Sequence, residues 1–296
     1  MAHSLMHAGS IAEGRVHYDQ AFALYDPAEH RALATRFGQD AGVSILSNRS
    51  WALWLLGWPE AALVDVEHAL ENARATGYFA TLAYALWFTS FTLICCAKYS
   101  IANTLVDELL VLADERDALL WKALATVMQG CLFALTGKSS DAVRTITSGI
   151  TALGSTGTTT YVPLWLSNLT RAYADLGQFD EAWRCIRDAI SAIDATKERW
   201  FEVETNRIAG EIALKSPEPE AAKAEGYFAR ALAVARQQQA KSWELRAAMS
   251  LARLWRDQGK AQHARELLAP VYGWFTEGFD TRDLKEAKKL LEQLSA

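Results

Sequence analysis

Cysteine is scarce in this chain of 296 residues, and the four present, Cys95, Cys96, Cys131 and Cys185, stand in no metal-binding or redox spacing. None falls in a CxxC pair, and adjacent Cys95 and Cys96 are poor disulfide partners, so reduced thiols and a cytoplasmic location are expected. A basic excess is also missing: 30 Lys and Arg stand against 35 Asp and Glu, a net charge of -5. That argues against a nucleic-acid binder, which carries a basic stripe. The start, MAHSLMHAGS, has no basic segment leading into an apolar run, so no signal peptide is expected. No strand pattern of any length is present. Charge is absent from Ala75 to Ala97, a span of 23 residues, long enough to cross a bilayer. It carries Gly77, Ser90, Tyr78, Tyr84 and several threonines, however, and reads as a helix buried between neighbours and apolar nearly all round, not as a membrane span.

What is present is a period. Ala62, Ala102, Ala142, Ala182, Ala224 and Ala264 follow one another at gaps of 40, 40, 40, 42 and 40 residues. Four of them come five residues after a glycine, Gly57, Gly137, Gly177 and Gly259. Two helical patterns per period mark a helical repeat array. Residues 43–56 predict a first helix, called A, Gly57-Trp58-Pro59-Glu60 a turn, and AALVDVEHALENARA a second helix, B. The glycine suits the left-handed C′ position of helix A, and the alanine the point where A and B cross closest. A second small residue follows seven positions on (Ala69, Gly149, Ala189, Ala231), with Val66, Ile146, Ile186 or Phe228 filling the space between. Unit two has Ala97-Lys98-Tyr99 in place of the glycine turn, and unit five Lys215-Ser216-Pro217-Glu218-Pro219.

The predicted fold is therefore all-α, a right-handed superhelical solenoid of six hairpins with a period of about 40 residues. Residues 1–42 read as a partial repeat and connector, 43–276 as the six repeats and 277–296 as a capping helix. In the cap, Leu284, Ala287, Leu291 and Leu294 are expected to face inward, with Asp280 or Thr281 as N-cap. Residues 9–25 look like the turn and helix B of a further unit whose helix A, MAHSLMHA, is too short to cover it, so either the chain is the tail of a longer protein or its start is frayed. The uncovered N-terminal end would be sticky, so a homodimer could form through it.

The hairpins resemble the tetratricopeptide repeat, whose period is 34 residues. Longer phrases carry a narrower resemblance: RALATRFGQD (31–40), WALWLLGWPEAAL (51–63), ERWFEVETNRIAGEIAL (198–214), QQAKSWELRAAMSLARLWRDQGK (238–260) and LLAPVYGWFTEGFDTRDLKEAKKLL (267–291). Together they resemble the C-terminal repeat region of bacterial proteins that fuse a class III adenylate/guanylate cyclase to a STAND-type ATPase. The resemblance implies a sensor or scaffold arm controlling an attached catalytic module. It carries no catalytic residue onto this chain.

Candidate chemistry is sparse. Gly137-Lys138-Ser139 lacks the earlier glycine of a P-loop, since that place holds Leu132, and it falls on an interhelical turn. His3 and His7 share a helix spacing, but no HExxH or third ligand accompanies them. No nucleophile–base arrangement can be identified, so no cofactor, no metal and no catalysis are expected. The stronger constellation is a surface. Helix A positions that line the concave groove of such arrays include Trp51, Trp54, Tyr84, Trp87 and Phe91 early on, and Arg171, Arg246, Arg253 and Arg256 later. Aromatic residues and arginine dominate interface energetics, and such a groove suits an amphipathic helix or acidic peptide. Burial of the aromatics between units and local pairing of the arginines is the competing expectation. The aromatic stretch Tyr272–Asp280 is expected to pack the cap onto unit six.

The sequence thus predicts a non-catalytic protein-interaction and regulatory scaffold with a protein or peptide partner. An arm of an ATP-dependent transcriptional regulator, or an enzyme with a site in the groove, are the alternatives.

Overall fold

The structure, a computed structural model, describes residues 1–295. It begins with α1 (Ala2–Ala8) and α2 (Ile11–Ala23), followed by the short α3 (Pro27–His30) and α4 (Ala34–Phe37). Six A–B pairs follow: α5 (Ala41–Leu55) with α6 (Pro59–Thr76), α7 (Phe79–Cys95) with α8 (Tyr99–Glu115), and α9 (Leu119–Leu135) with α10 (Ser139–Ser155). Then come α11 (Val162–Asp175) with α12 (Phe179–Thr196), α13 (Glu202–Lys215) with α14 (Ala221–Gln237), and α15 (Lys241–Asp257) with α16 (Ala261–Tyr272); α17 (Arg282–Gln293) follows them. No strand occurs among the described residues. The chain forms two compact units. One gathers Met1–Met6, Ala12–Trp54 and Pro59–Thr159; the other gathers His7–Ile11, Leu55–Trp58 and the chain from Thr160 onward.

The all-α hairpin repeat predicted from the alanines is what the structure shows. Ala62, Ala102, Ala142, Ala182, Ala224 and Ala264 are all wholly buried, as are their partners Ala69, Ala189 and Ala231. Each helix A answers with a small residue of its own: Ser50, Ser90, Gly130, Thr170, Gly210 and Ala252, all buried. A Cβ on Gly130 would stand 2.6 Å from Cγ1 of Ile146, and one on Gly210 only 2.4 Å from the Phe228 ring. The reciprocal contact is as tight: a Cβ on Gly149 would lie 2.3 Å from Val127. The Thr170 hydroxyl donates to the carbonyl of Leu166 at 2.8 Å and lies 3.5 Å from that of Ala182, which puts it at the crossing. Close approach of two backbones needs small residues on both helices.

The turns are built as expected. Gly57, Gly137, Gly177 and Gly259 all have φ between 74° and 93°, and Ala97 takes the same left-handed conformation at 57°. The residue after each of Ala97, Gly137, Gly177 and Gly259 then donates back into helix A, as in Lys138 N–H to the Phe133 carbonyl at 2.9 Å and Gln178 N–H to that of Tyr173 at 2.9 Å. This closes the free carbonyls of helix A. Between α13 and α14 the link runs through 216–220, two residues longer than 176–178 between α11 and α12, which accounts for the single gap of 42.

Three expectations change. The N-terminal helix does not fray: Met6 is wholly buried, and the His7 carbonyl accepts the Arg199 and Trp200 amides at 2.7 and 3.3 Å. In α17 the buried face is Leu284, Ala287, Leu290 and Leu294, with Leu291 only half-buried, because the helix packs against both α15 and α16. Thr281 occupies the N-cap position, but its hydroxyl donates to the Gly278 carbonyl at 2.6 Å instead of accepting from the helix. The uncharged span Ala75–Ala97 holds α7, of 17 residues, and no helix of the described chain is long and apolar enough to cross a membrane.

Two substitutions of opposite sign test the crossing rule. Gly130→Val should cost about 1–3 kcal/mol by overpacking against Ile146. Gly154→Ala, in the last turn of α10 where nothing approaches within 4 Å, should add about 0.5–1 kcal/mol. Urea unfolding midpoints measure both, and a neutral Gly130→Val would contradict the packing described.

Candidate interaction surface

Within the first unit, the predicted aromatic positions separate. Trp51, Trp54, Trp87 and Phe91 are 1, 3, 2 and 6% exposed, so they are packing residues and do not form an open groove wall. Trp51 meets Phe91 edge-on at 5.5 Å and Trp87 meets Phe88 at 4.6 Å. Helices A of 15 and 17 residues are long enough to carry these rings into contact with the next hairpin. Tyr84 is the exception. Half-buried, it lies tilted against Phe88 at 4.3 Å, turns an edge to half-buried Trp121 at 6.4 Å and accepts the Asn48 amide at 2.6 Å.

Asn48 is the centre of a cluster that the sequence did not reveal. Its amide nitrogen also reaches the Ser44 carbonyl at 2.7 Å, and its oxygen meets Nδ1 of His3 at 3.1 Å. Burial holds the His3 imidazole below its ordinary pKa, against the hydrogen bond to Asn48, so the ring is neutral and Nδ1 carries the hydrogen it donates. A polar residue in the middle of a buried helix was the one available signal, since His3 is 45 residues away. Nearby Asp40, itself buried, caps α5 by accepting the Val43 amide at 2.9 Å and takes the Tyr25 hydroxyl at 2.9 Å. Burial and that carboxylate push the Tyr25 phenol up to about 12.

Within the second unit, the arginines are brought together and paired. Arg171 of α11 meets Glu204 and Glu211 of α13 at 3.2 and 3.7 Å. Arg207 spans the same two carboxylates from its own helix and donates to the Ser250 hydroxyl at 3.3 Å. Arg246 of α15 lies 3.9 Å from Glu204 and 2.6 Å from Asp283 of α17. Burial alone would raise the Glu204 pKa, but Arg207, Arg246 and Arg171 together hold it at about 2. Burial and the neighbouring Arg207 lower that of Arg171, whereas the two glutamates outweigh burial and raise that of Arg207. Three cations thus face three carboxylates, a neutral ladder across four helices. Arg253 pairs with Glu286 at 2.9 Å, and Arg256 donates to Asp257 and Gln293 at 2.9 and 2.8 Å; both stay more than a third exposed.

The second unit also holds a clasp on the end of α1. Glu198, buried, accepts the Tyr161 amide at 2.9 Å and the Trp200 indole at 2.8 Å, with His7 Nδ1 at 3.5 Å. Burial raises its pKa against those two hydrogen bonds. The aromatic segment near residue 274 packs in a direction the sequence did not suggest. Trp274 meets Trp58 at 5.7 Å, and a Cβ on Gly57 would lie 2.5 Å from the Trp274 ring. Lys138 of the Gly-Lys-Ser turn lies over the Phe133 ring at 5.5 Å. Among the described residues no group of three or more His, Cys, Asp or Glu could hold a metal.

No protein-family model matches the chain, and no curated protein matches it. Among solved structures it is similar to RapI, known from a crystal structure of its apo form, at 12% identity over 85% of this chain and 84% of that chain, with a TM-score of 0.58. At that identity the likeness establishes a shared fold.

The ladder makes a pH-dependent contribution. A folded pKa of about 2 against the ordinary 4.5 means that the stability from Glu204 is complete above pH 4.5 and is lost as pH falls towards 2. Glu204→Gln should cost about 3 kcal/mol at neutral pH, because it leaves buried arginine charge under-compensated. Urea midpoints of wild type and variant should converge below pH 4.5; a gap independent of pH would contradict the assignment.

Proposed function

We propose that the chain is a protein-interaction and regulatory module that recognises a protein or peptide partner along its A helices. The observation that carries this reading is the array itself, a succession of six helical hairpins. Repeat arrays of this kind usually work by offering a surface. The titratable groups along the A helices neutralise one another in ion pairs instead of converging on a reactive atom, which supports recognition over chemistry. The four buried cysteines, none in a disulfide, fit a reducing, cytoplasmic setting.

By its resemblance to cyclase–STAND ATPase proteins, the module acts as a sensor or effector arm, with binding to the array biasing an attached or associated catalytic part. Contact residues are those left accessible: Tyr84 and Trp121 in the first unit, Arg253 and Arg256 in the second. Both residue classes anchor interfaces.

The test is a pull-down with identification of the retained protein, followed by calorimetric titration of that protein, purified, into wild type, Tyr84→Ala/Trp121→Ala and Arg253→Glu/Arg256→Glu. A partner bound by wild type and weakened roughly tenfold or more by one pair, about 1.4 kcal/mol, is expected. A chain that retains no partner, or a partner indifferent to both pairs, would sink the proposal.

A further inference from the structure

α17 is held by a narrow apolar face and a row of polar contacts. It packs against α15 and α16, while its opposite side, with Lys285, Lys288, Lys289 and Glu292, is exposed. Its buried residues are Leu284, Ala287, Leu290 and, just after it, Leu294, whereas α15 is buried along most of its length from Ser242 to Leu254. Polar contacts add to this attachment. Arg246, Arg253 and Arg256 lie on one stripe of α15, at i, i+7 and i+10, and reach Asp283, Glu286 and Gln293 of α17 in that order. Arg282 joins Glu286 from within α17 at 2.7 Å. Arg282 and Arg253 hold the Glu286 carboxyl below its ordinary pKa despite burial, so it is ionised when it pairs.

The link before α17 contains Gly278 at φ 74° and exposed Trp274 and Phe279. A helix whose buried face is limited to Leu284, Ala287, Leu290 and Leu294, reached through a glycine-containing link, belongs to the part of a protein that opens at least cost. If it opens, α15 presents a stripe of three arginines beside the apolar surface that Leu284, Ala287 and Leu290 had covered. The pattern on α17 defines what fits there: acids at i and i+3 on one edge, apolar residues at i+1, i+4 and i+7 beside them.

We propose that α17 is a built-in occupant of the α15 arginine stripe, and that the partner is a protein carrying an acidic amphipathic helix which docks by displacing it. This rests on the interaction-module reading and adds to it the partner's chemistry and an autoinhibitory contact. Helix-in-groove recognition supplies the binding mode, and the displaced α17 sets a threshold, because the partner must outcompete a tethered ligand at high effective concentration.

The probe is a fluorescent peptide of the chain's own residues 280–295, titrated by anisotropy into the full chain. Wild type should bind it at least roughly tenfold more weakly than Asp283→Arg/Glu286→Arg, in which α17 is repelled from α15. Adding Arg253→Glu to that variant should abolish the gain, and amide exchange over 282–293 should quicken about tenfold in the variant with the rest of the chain still protected. Should the reversed pair fail to fold, Asp283→Asn/Glu286→Gln gives a smaller gain in the same direction. Equal affinity for wild type and the folded variant, or binding to neither, overturns the latch. Such a result beside an intact partner titration refutes the latch alone; loss of both refutes the interaction reading.

Discussion

Everything in this molecule depends on how closely helix A can approach helix B within each hairpin. The approach is set by small buried residues on both helices: Ser50, Ser90, Gly130, Thr170, Gly210 and Ala252 on helices A, and Ala62, Ala102, Ala142, Ala182, Ala224 and Ala264 on helices B, with Thr170 meeting Ala182 directly. Where the helix A member is glycine, the facing Ile146 or Phe228 fills the space a Cβ would need. Interiors are close-packed, so even one added methyl group is felt. The left-handed turn residue fixes where helix A stops, and the five-residue step to the alanine then fixes the register of helix B. Unit five has two more residues in its turn and keeps both small positions. The turn is negotiable, then, and the crossing is not.

On this frame each unit carries its own chemistry along the A helices. The first has a dry set of aromatic rings and an amide, Asn48, tying His3 to Tyr84. The second has a ladder of ion pairs that passes from α11 through α13 and α15 to α17. Buried ion pairs are weak contributors to stability when compared with apolar packing, but costly to break one-sidedly. Here they link successive helices, and they leave Arg253 and Arg256 as the accessible end of the series.

The period of about 40 residues, the hairpins, the turn conformations and the helix B packing positions were legible in the sequence, because alanine and glycine recur there by identity. The helix A partners were not, because serine, threonine, glycine and alanine all serve and no single letter runs through the series. The anchoring of α1 was invisible for another reason. Its contacts at Asn48 and Arg199 lie 45 and 192 residues along the chain, and no local pattern encodes them. The candidate aromatics were located correctly on helices A, but exposure depends on helix length and on the neighbouring hairpin, which a single-helix pattern does not contain. The arginines likewise met acids 33 to 37 residues away on the next helix A, a spacing that becomes meaningful only once the repeat is folded.

The most direct measurement of the central claim is the unfolding free energy of Ala182→Leu, a substitution that favours the helix by propensity almost as well as alanine does. Ala182 is wholly buried opposite Thr170, so the account predicts a loss of about 1–3 kcal/mol or more with retained helicity. An unchanged or increased stability would mean that the helices do not meet where the small residues lie, and would contradict it.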